Sequence, residues 1–148
     1  MNVKLARIRY SDLNSRQKEN YNFMKLSAVL ADFGFVTLRL TDDWQGADFI
    51  AQHIDGETFL RVQLKSRLTF QKKYRDKGLY IGFGSKGAWY LYPHDEFLAK
   101  ALEVTGIGRT ESWTKGGGYS FPHVPAVLKP ILEEYRLDPG LHQRDTKP

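Results

Sequence analysis

Residues 46–67, GADFIAQHIDGETFLRVQLKSR, constrain this chain more than any other stretch. Two apolar-rich runs flank Asp55-Gly56, and Asp-Gly between such runs is a strong signal for a β-hairpin closed by a two-residue type I′ turn. A two-residue loop sets the register: Ile54 faces Glu57, and the numbers of opposed residues sum to 111. Ala47 then opposes Leu64, Phe49 opposes Val62 and Ala51 opposes Leu60, which makes one continuous apolar face. A slip of one residue would send that face to solvent, so the turn and the hydrophobic pattern specify the same register.

The other face of the hairpin is polar. In this register Asp48 lies directly opposite Gln63, and opposed residues on one face have Cβ atoms roughly 4.5–5.5 Å apart. Lys65 is two positions beyond Gln63, on the same face and diagonal to Asp48. A carboxylate, an amide oxygen and an ammonium therefore converge. The two oxygens are hard ligands of the kind that magnesium or manganese takes. The ammonium is suited to orienting a water or offsetting charge that develops on a phosphoryl group.

Asp48 followed by Gln63-Leu64-Lys65 at the end of the next strand resembles the signature of the PD-(D/E)XK nuclease superfamily, an Asp on one strand and (D/E)-x-K on the next. The resemblance covers most of the chain, and its members include restriction enzymes and Holliday-junction resolvases. Two positions depart from the pattern: Ala47 stands where Pro is usual, and Gln63 stands where Asp or Glu is usual, removing one negative charge. The resemblance implies an α/β fold with a restriction-endonuclease-like core, a mixed central β-sheet flanked by helices. It implies catalytic roles for Asp48, Gln63, Lys65 and Glu19. It implies a Mg2+ or Mn2+ ion held by Asp48, Gln63, Glu19 and the backbone carbonyl of Leu64.

The rest of the chain fits one domain: a core over about 14–104, a C-terminal loop and helix over 105–137, and a frayed tail over 138–148. Residues 1–13 read as an edge strand, a basic arm or a solvated terminus. Residues 14–33 read as a helix, with Asn14 as N-cap, Gln17 at the capping-box position and Gly34 just past the end. Phe23, Leu26, Leu30 and Phe33 form its apolar stripe, and Glu19 sits one turn before Phe23 on the same line. An acid there is either a ligand to the site or a first-turn Glu favoured by the helix dipole. A strand over 35–40 follows, then a polar connection over 41–45 in which Asp42 and Asp43 read as turn chemistry.

Between Arg61 and Lys77 there are seven cations against one acid, with Phe70 and Tyr74 interleaved. Beside a metal site such a stretch suits a phosphate backbone, so Arg61, Arg67, Lys72, Lys73, Arg75 and Lys77, with Lys115 further on, are candidate nucleic-acid contacts. Strands over 79–83 and 88–92 precede a helix that starts at 93–96 and runs to about Val104. Residues 105–125 read as a long irregular segment and 126–137 as a final helix. His94 reads as structural, and the four histidines show no ligand spacing.

Composition bounds the function. The chain has 148 residues, 41% of them hydrophobic, and a net charge of +5, which favours a polyanionic partner. Cysteine is absent, so thiol chemistry and thiolate metal sites are excluded. There is no run of about 20 apolar residues and no signal-peptide core, which argues against a membrane partner and for a cytoplasmic location. The reading is a Mg-dependent endodeoxyribonuclease acting on DNA, with RNA and a homodimer left open. The alternative is an inactive nucleic-acid-binding or protein-interaction module on the same fold.

Overall fold

The structure, a computed structural model, describes residues 3–138; for Asp43 and Trp44 only the backbone is described. The tail expected over 139–148 lies outside the described residues.

The first helix, α1 (Ser15–Ala31), begins with a reciprocal cap: the Gln17 N–H donates to Asn14 Oδ1 and the Asn14 N–H to Gln17 Oε1, both at 2.9 Å. Its C-terminal half lies on the sheet, so that Leu26 and Leu30 are buried against Phe49, Ala51 and Val62. Strands β1 (Phe35–Trp44), β2 (Ala47–His53) and β3 (Phe59–Leu64) form an antiparallel meander. The chain then crosses over through a short strand, β4 (Thr69–Gln71), to β5 (Leu79–Ser85), which pairs with β3 in parallel. β6 (Ala88–Pro93) returns antiparallel and leads into α2 (His94–Val104). A helix, three antiparallel strands, a crossover and a strand parallel to the third build a mixed α/β core, the fold class that the resemblance implies.

The sheet reads β1-β2-β3-β5-β6-β8, where β8 is Arg136–Leu137. It is mixed, and its central strand β5 is buried on both faces. Tyr80 packs toward α1, whereas Leu79, Ile81 and Phe83 join Phe97 of α2, Leu132 of the short helix α4 (Lys129–Glu133) and its N-cap Leu128. Gly82 is where β5 passes beneath α1: a Cβ there would come within 2.6 Å of Leu26 Cδ2.

Several expectations are corrected. The hairpin register is as predicted, with pairs from Phe49–Val62 to Gln52–Phe59, but the turn is not a two-residue type I′ turn. Of Asp55 and Gly56 only Gly56 has a positive φ, +74°, and the first cross-strand bond joins His53 N–H to Thr58 O at 2.9 Å. Asp55 closes a four-residue loop instead: its carboxylate accepts from the Glu57 N–H, the Thr58 N–H and the Thr58 hydroxyl at 2.7–2.8 Å. Lengthening the loop by one residue on each side leaves the sum of 111 intact. The type I′ turn occurs at Gln45-Gly46, with φ +58° and +85° between the paired Trp44 and Ala47, so β1 runs through the segment read as a connection.

The segment over 105–125 is also structured. It holds a 3-10 turn (Ile107–Arg109), α3 (Glu111–Thr114) and β7 (Gly118–Ser120), and β7 pairs with β4. The final helix is only α4, because Arg136 and Leu137 are taken up as an edge strand against β6. Among the described residues before α1 there is no strand, only a 3-10 turn at Tyr10–Asp12. No helix among the described residues is long and apolar enough to cross a membrane.

Candidate active site at the end of the β2–β3 hairpin

The ladder between β2 and β3 ends at Phe49–Val62, so Asp48–Gln63 and Ala47–Leu64 are not ladder pairs. The cause is a conflict of partners. Gln63 and Leu64 follow β5, opposite Ile81 and Gly82, while β2 is drawn toward β1 by the turn at Gln45-Gly46. Asp48 bridges this end of the hairpin: its Oδ2 accepts the Leu64 N–H at 2.8 Å. Ala47 is buried, but among Tyr74, Leu79 and Ile81 rather than with Leu64.

That bond places the Asp48 carboxylate at the end of the strand that carries Gln63 and Lys65. Gln63 Nε2 lies 3.5 Å from the Leu64 carbonyl, a long contact. The Lys65 N–H donates to the Gly82 carbonyl at 2.9 Å, which holds the chain on β5 as it leaves β3. The Lys65 ammonium stands 5.5 Å from the centre of the Tyr74 ring. Tyr74 is a buried residue whose part at the site sequence reasoning missed; the signal was an aromatic set among the cations of 61–77.

Glu19 is not on a buried edge. It is exposed, because only Leu26 and Leu30 of α1 are buried and the first turns extend past the sheet. Among the described residues no three His, Cys, Asp or Glu side chains are grouped so as to hold a metal ion. The local donors are the Asp48 carboxylate, the Gln63 amide oxygen and the Leu64 carbonyl. All are hard oxygens, and they fit a dication such as Mg2+, which keeps several waters and takes one or two carboxylates plus substrate phosphate.

The basic segment is anchored more firmly than a solvated loop. Leu68, Thr69, Phe70 and Tyr74 are buried. The Tyr92 hydroxyl accepts the Thr69 N–H at 3.1 Å and donates to the Thr69 carbonyl at 2.7 Å; burial pushes its pKa up, so it stays a donor. His94 is fully buried. Its Nε2 accepts the Gln71 N–H at 3.1 Å, so Nδ1 carries the proton and donates to Asp95 Oδ1 at 2.9 Å. The second Asp95 oxygen accepts the Asp76 N–H at 2.9 Å. Burial lowers the His94 pKa, against the pull of Asp95. Burial alone would raise that of Asp95, but the bonds from His94 and Asp76 bring it below the ordinary carboxylate value. Tyr92 of β6 and His94 of α2 thus hold the start of the 69–76 crossover, and Asp95 of α2 holds its end.

The cations along this crossover differ in freedom. Arg61 Nη1 donates to the Lys77 carbonyl at 2.9 Å and ties β3 to the start of β5. Lys72 stands 5.3 Å over the Trp113 ring and Lys73 5.5 Å over Tyr74. Arg67, Lys73 and Arg75 are exposed and Lys77 is half-buried. Lys115 pairs with Glu111 at 3.5 Å.

No family model matches the chain, and none of the curated proteins matches it in sequence. Among solved structures it is similar to Hjc, a Holliday junction resolvase from the archaeal hyperthermophile Archaeoglobus fulgidus. The identity is 17% and the TM-score 0.43, over 53% of this chain and 74% of the other. It is also similar to I-Ssp6803I, a bacterial homing endonuclease, at 14% identity and a TM-score of 0.44, over 83% of this chain and 86% of the other.

Proposed function

We propose that this chain is a metal-dependent nuclease that hydrolyses phosphodiester bonds in DNA, with Asp48, Gln63 and Lys65 as its working side chains. The observation that carries this reading is the 2.8 Å bond from the Leu64 N–H to Asp48 Oδ2, which sets the carboxylate at the end of the strand bearing Gln63 and Lys65. Asp48, the Gln63 amide oxygen and the Leu64 carbonyl would hold the cation. When bound, a divalent cation supplies Lewis-acid polarisation of a phosphate and lowers the pKa of water. Lys65, standing over Tyr74, positions the attacking water and offsets charge on the phosphate oxygens. Arg67, Lys73 and Arg75, exposed on the pinned crossover, bind the strand through its phosphates. Glu19, exposed on α1, is the further candidate ligand.

One observation favours a second reading, a nucleic-acid-binding module without turnover. Gln63 turns its amide nitrogen toward the Leu64 carbonyl, so a donor faces the oxygen that the metal would use. The two readings separate in one assay: end-labelled single- and double-stranded DNA with Mg2+, Mn2+ or chelator. Metal-dependent cutting supports the nuclease. Salt-sensitive binding without cutting in either metal supports the module and overturns the proposed activity.

A further inference from the structure

On the α1 side of Lys65 the molecule carries a groove of about 620 Å³ between α1 and the end of the β5–β6 hairpin. Three lysines line it, Lys25, Lys65 and Lys86, and three rings, Tyr10, Tyr21 and Trp89; no carboxylate does. The rings are held in place. The Tyr10 and Tyr21 centroids are 5.4 Å apart, and the Tyr10 hydroxyl accepts from the Asn22 amide at 2.9 Å. The Lys25 ammonium stands 5.3 Å from the Tyr21 ring centre. Trp89 lies across its strand partner Gly84, where an added Cβ would be 3.1 Å from the indole. Across a rim formed by Ser66 and residues 84–86 the groove meets a second cavity of about 310 Å³, which adds Arg67 and Lys129; its one acid, Glu133, is paired with Arg136.

From this we infer that the groove binds a single-stranded segment of DNA, its phosphates on Lys25 and Lys86 and its bases against Tyr10, Tyr21 and Trp89. Cations with ring faces and no acid match an unpaired strand, which offers a charged backbone and free base faces at once. A duplex offers no free base faces, because its bases are stacked on one another. The inference rests on the nuclease reading in one respect: Lys65 belongs to both the groove and the candidate site, so the substrate would be DNA with an unpaired tail or branch that enters beside the scissile phosphate.

The test is fluorescence anisotropy of labelled oligo-dT and of a blunt duplex of equal length, in chelator so that nothing is cut. Wild type, Lys25→Gln/Lys86→Gln and Tyr10→Ala/Tyr21→Ala are compared over a range of salt. Wild type should bind the single strand more tightly than the duplex. The lysine variant should lower the slope of log K against log salt by about 1.4, from about 0.7 per cation on a single strand. The tyrosine variant should lose about fivefold or more for each base that stacks, with the slope unchanged. Both lysines are exposed, so their replacement leaves the core intact. A single strand bound no more tightly than the duplex, or a lysine variant with wild-type affinity and slope, overturns the inference. Because the assay contains no metal, failure of cleavage elsewhere would leave this result standing, and the reverse.

Discussion

Replacing His94 with Gln tests how the basic crossover is held. Gln can set an amide oxygen where Nε2 sits and keep the acceptor for the Gln71 N–H, but it gives up the donor to Asp95. A hydrogen bond to a charged group contributes about 1.5–3 kcal/mol; Asp95 is partly exposed, so the lower end, about 1.5–2 kcal/mol, is expected at pH 7.5. The pH dependence carries more information. Burial lowers the His94 pKa, so as pH falls the unfolded chain takes up its proton first, near the ordinary value of 6.5. Stability held above that pH is therefore lost as pH falls from 6.5 toward the folded-state value. Between pH 7.5 and 5.5 the loss is at most about 1.4 kcal/mol, the value for an imidazole that titrates at 6.5 in the unfolded chain and takes up no proton in the fold. The variant has no such group, so urea denaturation should show the gap between wild type and His94→Gln shrinking from pH 7.5 to 5.5. A gap that is constant or widens would refute the buried neutral imidazole. Wild-type stability in the variant would refute the clamp.

Asp48→Asn keeps an oxygen for the Leu64 N–H, so its stability should fall by about 1 kcal/mol or less, while Asp48→Ala leaves that N–H unpaired at about 1–3 kcal/mol. Both should lose metal-dependent cleavage, and denaturation beside the nuclease assay separates the two effects. Gln63→Glu adds a charged oxygen ligand and should tighten Mn2+ binding about tenfold or more in a titration read by electron paramagnetic resonance, since ligand charge sets the affinity of hard-cation sites; unchanged affinity would place Gln63 outside the metal's reach. Tyr92→Phe strips both partners from the Thr69 backbone and should cost about 2–3 kcal/mol, a fall in Tm of about 4–12 °C by calorimetry. The Asp55 carboxylate, held at a pKa of about 2 first by the Thr58 hydroxyl and then by the Thr58 and Glu57 N–H groups, favours the folded loop above the ordinary value of 3.8. That contribution is lost as pH falls from 3.8 toward 2, and Asp55→Asn should flatten the acid limb of stability there.

The hairpin register was legible in the sequence because it rests on alternation over several pairs, and Phe49–Val62 and Ala51–Leu60 are where the alternation places them. The turn was not, because Asp55 had two uses for its side chain. Accepting two N–H groups and a hydroxyl outweighs the backbone preference that makes Asp-Gly a type I′ signal. The turn at Gln45-Gly46 was obscured by an irregularity in the β1–β2 register between Arg39 and Trp44. The α1 caps were legible because they are local; the burial of Glu19 was misjudged because periodicity does not tell where a sheet ends beneath a helix. At the C-terminus the apolar spacing of 126–137 suited a helix, but pairing of Arg136 and Leu137 with Tyr90 and Trp89 overrides it. At the candidate site the sequence brings Asp48, Gln63 and Lys65 to one end of one hairpin. The hydrogen bond from Leu64 to Asp48 and the imidazole clamp depend on residues that are distant in sequence, so no local signal announces them; the ring under Lys65 had one, an aromatic set among the cations of 61–77.

The most direct test of the central claim is the single-turnover cleavage rate of Lys65→Ala in Mg2+, measured beside its DNA affinity. The account predicts a rate at least about 100-fold below wild type, as when one preorganised donor is removed from a developing charge, with affinity within about threefold. An unchanged rate, or rate and affinity lost in proportion, would contradict it.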